Sequence, residues 1–191
     1  MTNVLKRYND ARIFLLNDAG ILLNLSLAFI FAVALSLASQ IKIYLGFTPV
    51  PINLATLVVC ASALTLGGFW SFISVAIFIL AGVTGLPVFA STSIFSATTG
   101  YLVGYALCAY ILGRYSENRK NGIVKTSIVL FLAQIFIIHL CGMIGLYIWS
   151  SYTGINYTVL DVIMKGSIPF LIGDSIKAII TSYSMAYIIK K

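Results

Sequence analysis

At 191 residues, with 60% hydrophobic and 9% charged side chains and a mean hydropathy of +1.03, the chain lies far outside the soluble range. A soluble domain carries roughly a quarter charged residues, so an aqueous globular fold is excluded, and with it the enzymes and binding modules built on one. The net charge of +7 does not point to nucleic acid, because the basic residues stand at the margins of apolar runs, where they set topology.

Residues 1–18 are polar and mildly basic, with Lys6, Arg7 and Arg12 against Asp10 and Asp18. The first apolar span is read over 19–40. It is too long for the core of a cleavable leader, and no small-residue cleavage pattern follows it. Lys42 closes this span, and no charged residue then occurs from Ile43 to Gly113. Gly67–Gly68 marks a tight turn inside that run, and Gly85–Leu86–Pro87 opens a longer connection. Spans are therefore read over 53–67, 69–86 and 97–113. Arg114, Glu117, Arg119, Lys120 and Lys125 form the most polar linker. A fifth span covers 126–149, a polar connection with Asp161 and Lys165 follows, and a sixth covers 167–189 before Lys190–Lys191.

The expected fold is thus an all-α integral membrane bundle of six transmembrane helices in a single domain, 1–191, with both termini cytoplasmic. The charge bias decides between six helices and five. Six place Lys6, Arg7, Arg12, Arg114, Arg119, Lys120, Lys125, Lys190 and Lys191 on the cytoplasmic side and only Lys42 and Lys165 outside. Merging 53–86 into one span puts the larger share of basic residues outside, against the positive-inside rule. Cys60, Cys108 and Cys141 all fall in apolar segments without a CxxC spacing and read as small buried hydrophobes.

Three constellations stand out. Asp174 and Lys177 are three residues apart and share one face of the sixth span. Each costs about 2.5–3.5 kcal/mol at the centre of an inserting helix, whereas each Ile, Leu or Phe returns only about 0.3–0.6 kcal/mol. The pair must therefore face protein or a wet cavity, and an intramembrane ionisable residue is by default a substrate or ion site; an internal ion pair that merely fixes packing is the alternative. The second constellation is Gly46–Phe47–Thr48–Pro49–Val50–Pro51–Ile52. Its prolines force extended backbone, either lining a cavity or forming an ordinary outer loop with Pro51 near the start of a helix. The third is the Ser/Thr-rich stretch from Ala90 to Tyr101. In this topology all three lie on the outer side, which predicts a pocket opening outward.

His139 is a lone histidine with no metal ligand three or four residues away, and interhelical hydrogen bonding is expected of it. Ala28/Ala32 and Ala34/Ala38 give small-xxx-small spacings that permit close helix approach. No P-loop, zinc-protease or nucleophile-elbow motif occurs, and carboxylates do not cluster, so no catalytic residue, metal or cofactor is predicted. Besides a transporter, two other classes fit membrane placement: an intramembrane enzyme using Asp174 as acid or base, and a structural assembly subunit without a pocket.

Phe47–Thr48–Pro49–Val50–Pro51–Ile52, Gly85–Leu86–Pro87–Val88–Phe89, Thr98–Thr99–Gly100–Tyr101–Leu102–Val103–Gly104 and Gly173–Asp174–Ser175–Ile176–Lys177–Ala178, in that order, resemble the BioY family. Its members are the biotin-specific substrate-binding components of energy-coupling factor transporters. The chain departs from the family pattern at Ser96–Ala97, Thr99 and Ile172, changes expected to alter pocket shape. The resemblance implies six helices with cytoplasmic ends and uptake of biotin across the cytoplasmic membrane. It implies partnership with a transmembrane coupling subunit and two ATPase subunits, through small residues of the first helix, here Ala28, Ala32, Ala34 and Ala38. It also implies Asp174 and Lys177 as biotin contacts, to which Thr48 and Ser91 add neutral partners and Phe47, Val50 and Tyr101 an enclosure for the bicyclic ring. Which end of biotin meets Lys177 stays open, as do another small vitamin as cargo and transport without coupling subunits.

Overall fold

The computed structural model describes residues 13–91, 95–117 and 123–189. Of the basic residues that set the expected topology, Lys6, Arg7, Arg12, Arg119, Lys120, Lys190 and Lys191 lie outside them.

Among the described residues the fold is built on α1 (Ile21–Gln40), α2 (Ala55–Val83), α3 (Thr99–Glu117), α4 (Ile123–Ala133), α5 (Leu140–Tyr152), α6 (Val159–Gly166) and α7 (Leu171–Ile189). A π-helical segment, Gln134–His139, joins α4 to α5, and one 3₁₀ turn, Ile168–Phe170, precedes α7. By length and apolar composition Ile21–Gln40 and Val124–Tyr152 can each cross a membrane, and Ala55–Val83 reaches that length only with its two limbs counted together.

Helix α2 reverses direction at Gly67, whose φ of 77° and ψ of −176° leave helical geometry. Only glycine adopts that φ without strain. The reversal is visible in the contact between the Ser62 and Ser71 hydroxyls, 3.0 Å apart. On a straight helix residues nine apart would be separated by about 13 Å. The turn is packed against the end of α3. A Cβ on Gly113 would fall 2.5 Å from backbone atoms of Gly67 and Gly68, and the Gly68 N–H donates to the Glu117 carboxylate at 2.8 Å. Leu16, Gly67 and Glu117 thus meet at one end of the bundle. The first limb of α2, residues 55–66, is only about 18 Å long, against a hydrocarbon core of about 30 Å.

The extended segment before α2 pairs with the end of α1. Lys42–Ile43 and Ile52–Asn53 form a two-residue antiparallel ladder, Lys42 opposite Asn53 and Ile43 opposite Ile52. The loop that joins them carries Pro49–Val50–Pro51, with Val50 and Pro51 buried. Helix α2 begins at Ala55 with Leu54 as its N-cap, four positions beyond Pro51, so Pro51 is not a helix-initiating residue.

The polar connection expected between the last two spans contains α6. Its start is fixed by a capping box: the Thr158 hydroxyl accepts from the Asp161 N–H, and the Asp161 carboxylate accepts from the Thr158 N–H at 3.0 Å. The Thr158 hydroxyl, donating to that carboxylate at 2.6 Å, and the Thr158 N–H together hold the Asp161 carboxyl below its ordinary pKa.

Helix α1 turns its alanines inward. Ala28 is fully buried, Ala32 and Ala38 nearly so, and Ala34 half-buried, while Leu22, Phe29, Ile30 and Leu37 are exposed. Ala28, Ala32 and Ala38 therefore pack within the chain. Small side chains let backbones approach closely wherever the contact lies, and here it lies inside the bundle.

Candidate binding site

Three elements converge on the carboxylate of Asp174. The side chain sits in the first turn of α7 and is 2% exposed. Its Oδ1 accepts from Lys177 Nζ at 2.8 Å, one turn along the same helix, and from the Thr56 hydroxyl at 3.1 Å, in the first turn of α2. Its Oδ2 lies 2.7 Å from His139 Nε2, at the end of the π-helical segment. Because a carboxylate only accepts, Nε2 must carry the proton. The other ring nitrogen, Nδ1, is 2.9 Å from the Ser167 hydroxyl. Lys177 donates a second hydrogen bond to Thr56 Oγ1 at 3.0 Å.

The interhelical hydrogen bond expected of His139 is therefore made, and made to the Asp174 carboxylate. The π-helical segment matters to this, since its wider turn changes which residue of the long α4–α5 rod faces α7. The ion pair is buried on both sides, with Lys177 8% exposed. Such a pair is held only when the remaining polar atoms are also satisfied, and Thr56 and His139 do this.

The capacity left over is specific. A carboxylate offers about four lone-pair sites and an ammonium three N–H groups. Among the described residues three acceptor sites of Asp174 and two donors of Lys177 are engaged. One acceptor on Oδ2 and one donor on Nζ remain, three residues apart on the same helix face. The cluster can grip a neutral group that presents a donor beside an acceptor, such as the N–H and C=O of an amide or a urea.

Above the cluster lies a narrow cavity of about 40 Å³, lined on its polar side by Ser39, Asn53, Thr56, Thr98, His139, Asp174 and Lys177. Its apolar and aromatic walls are Val50, Pro51, Phe78, Ala90, Tyr101, Leu102, Tyr105, Ile138 and Phe170. That space admits a few water molecules; a flat bicyclic ligand enters only as the walls part. The extended proline segment is thus a cavity wall and not an ordinary loop. Tyr101 is positioned by a close helix crossing: a Cβ at Gly100 would lie 2.3 Å from the Cys141 carbonyl, and one at Gly145 would lie 2.5 Å from Gly100 Cα. The Tyr101 hydroxyl donates to the Gly166 carbonyl at 2.5 Å, so the residue presents its ring to the cavity.

Of the residues read from the sequence, the fold brings Val50, Tyr101, Asp174 and Lys177 to this cavity. It does not bring Phe47, Thr48 or Ser91. Phe47 is 60% exposed on the loop surface. Thr48 is buried elsewhere: its hydroxyl donates to the Lys165 carbonyl at 2.7 Å and accepts from the Val50 N–H at 3.2 Å, tying the proline loop to α6. The Ser91 hydroxyl bonds Ser96 at 2.8 Å and borders a neighbouring cavity. Thr56, Asn53 and Tyr105 went unread in the sequence. Only Thr56 carried a signal there, as a hydroxyl in the first turn after the proline segment.

Comparisons with known proteins agree on one lineage. The model of the BioY family matches residues 11–191. A biotin transporter BioY of Rhizobium etli is 33% identical over 160 residues, covering 79% of this chain and 84% of the relative. One from Thermotoga maritima is 30% identical over 159 residues, covering 80% and 88%. The crystal structure of the S-component for biotin from an ECF-type ABC transporter superposes with a TM-score of 0.74 at 23% identity, over 89% of this chain and 92% of that one. With a family match over nearly its whole length and a relative above 30% identity across most of both chains, the chain belongs to the BioY family.

Proposed function

We propose that this protein binds biotin on the outer side of the cytoplasmic membrane and serves its uptake as the substrate-specific component of an ECF-type transporter. The observation that carries the reading is the unspent acceptor on Asp174 beside the unspent donor on Lys177. A cyclic urea offers an N–H and a carbonyl at that spacing, and the aromatic walls suit its fused ring. Family relatives named as biotin transporters support the same ligand.

In this reading Asp174 accepts from a ureido N–H and Lys177 donates to the ureido oxygen. His139 and Thr56 hold the carboxylate in place by hydrogen bonds. The protein is read as a transport component, as its relatives are named: Asp174 is committed to the Lys177, Thr56 and His139 donors. The multi-pass chain lies in the cytoplasmic membrane with its Leu16–Gly67–Glu117 end inward, as the basic residues of the sequence require. Energy comes from a transmembrane coupling subunit and two ATPase subunits, since the chain carries no P-loop.

The test is uptake of labelled biotin by auxotrophic cells expressing the chain with and without a coupling subunit and its ATPases. Uptake that rises with the complete module is expected. Uptake no greater than in cells lacking the chain, under either condition, would refute the assignment.

A further inference from the structure

A second cavity, of about 210 Å³, backs directly onto the first and is lined by Gln40, Lys42, Gly82, Leu86, Phe89 and Ser91, among others. Three chain segments line both. Ser39 faces the first cavity and Gln40 the second; Ala90 faces the first, and its neighbours Phe89 and Ser91 face the second. On the second limb of α2, Phe78 and Gly82 do the same, one turn or about 6 Å apart. Between them Phe89 of the second stands edge-on against Phe78 of the first, next to Ala90.

The two cavities differ in charge. In the first, the Lys177 ammonium is answered by Asp174 at 2.8 Å, and a ligand anion placed there would face that carboxylate. In the second, the half-buried Lys42 ammonium makes no ion pair among the described residues. It donates at 2.9 Å to the Ala90 carbonyl and lies 6.0 Å from the Tyr44 ring centre, so it has N–H groups to spare. Lys165, on the same side of the bundle, rests 5.5 Å from the Tyr157 ring centre and lines neither cavity.

We infer that Lys42 is the residue that receives the carboxylate of the ligand, and that the ligand lies across both cavities with its neutral ring at Asp174 and Lys177 and its acid chain passing Ala90 toward Lys42. The inference rests on the biotin reading above and fixes the orientation that the sequence left open. A carboxylate at Lys42 draws on a cation that is not already neutralised, and it stays one cavity away from Asp174. Specificity then divides between the ends of the ligand: the first cavity selects the urea and the second selects the acid.

The test is equilibrium binding of biotin and of its neutral carboxamide to the full-length purified protein and to Lys42→Gln, Lys42→Arg and Lys165→Gln. The wild type should prefer the acid over the amide by about tenfold or more, the range of one hydrogen bond to a charged group. Lys42→Gln should lose that preference while binding the amide as the wild type does, which also shows that the variant is folded. Lys42→Arg should keep the preference, and Lys165→Gln should not change it. Preference retained in Lys42→Gln, absent from the wild type, or abolished by Lys165→Gln would overturn the assignment of Lys42 while leaving the ureido site standing. Wild-type protein that binds neither compound would instead overturn the biotin reading itself.

Discussion

Removing either member of the Asp174–Lys177 pair should destabilise the protein far more than removing both. At 2.8 Å and an effective dielectric of about 20, their attraction is about 6 kcal/mol, most of it offset by taking two charges out of water. Asp174→Asn leaves an ammonium that is 8% exposed with Thr56 as its nearest remaining partner, and breaking a buried pair in this way costs about 3–5 kcal/mol. Lys177→Met leaves the carboxylate with His139 and Thr56 and should fall near the lower end of that range. The double variant buries no unpaired charge and should return to within about 1–2 kcal/mol of the wild type. Denaturant titration of the four proteins without ligand, in mixed micelles, gives the coupling energy, expected to be at least about 3 kcal/mol. Additive single effects, or a neutral Lys177→Met, would refute the claim that the two groups are held as a desolvated pair.

Other variants probe the supports. His139→Leu removes one donor from Asp174 and strands Ser167, and should weaken biotin binding about tenfold, with His139→Gln recovering part of the loss; equal affinities in the three proteins would exclude a positioning role. Gly113→Ala pushes a methyl into the backbone of the α2 turn at 2.5 Å and should lower stability by about 1–3 kcal/mol. Gly173→Ala meets nothing within 4 Å and, inside a helix, should raise stability by up to about 1 kcal/mol. Thermal melts of this glycine pair check both signs.

The site was half legible in the sequence. Asp174 and Lys177 announced themselves by cost, because a span with nine or so strongly apolar residues cannot carry two charges without partners. Which partners they find depends on tertiary placement. His139 lies thirty-five residues before Asp174, and its register depends on a π-helical segment that leaves no mark in an apolar run. Thr56 meets the pair because α2 doubles back at Gly67, a turn that Gly67–Gly68 did signal. Helix α6 carried a readable start, Thr158 three residues before Asp161, but its composition reads as a loop. The proline segment was recognisable as extended, yet its alternation is not visible in composition: Val50 points to the cavity while Phe47 points away. The alanines of α1 show the same limit in another form. A small-residue stripe says that something approaches closely, and here what approaches is the chain's own core.

The most direct measurement is the affinity of the purified protein for biotin, with Lys177→Met and Asp174→Asn titrated alongside. The wild type should bind one equivalent far more tightly than about 1 mM, and each variant should lose about 10- to 150-fold, the worth of a hydrogen bond to a charged group. Binding no tighter than millimolar, or affinity unchanged in both variants, would contradict the placement of the ureido ring at this pair.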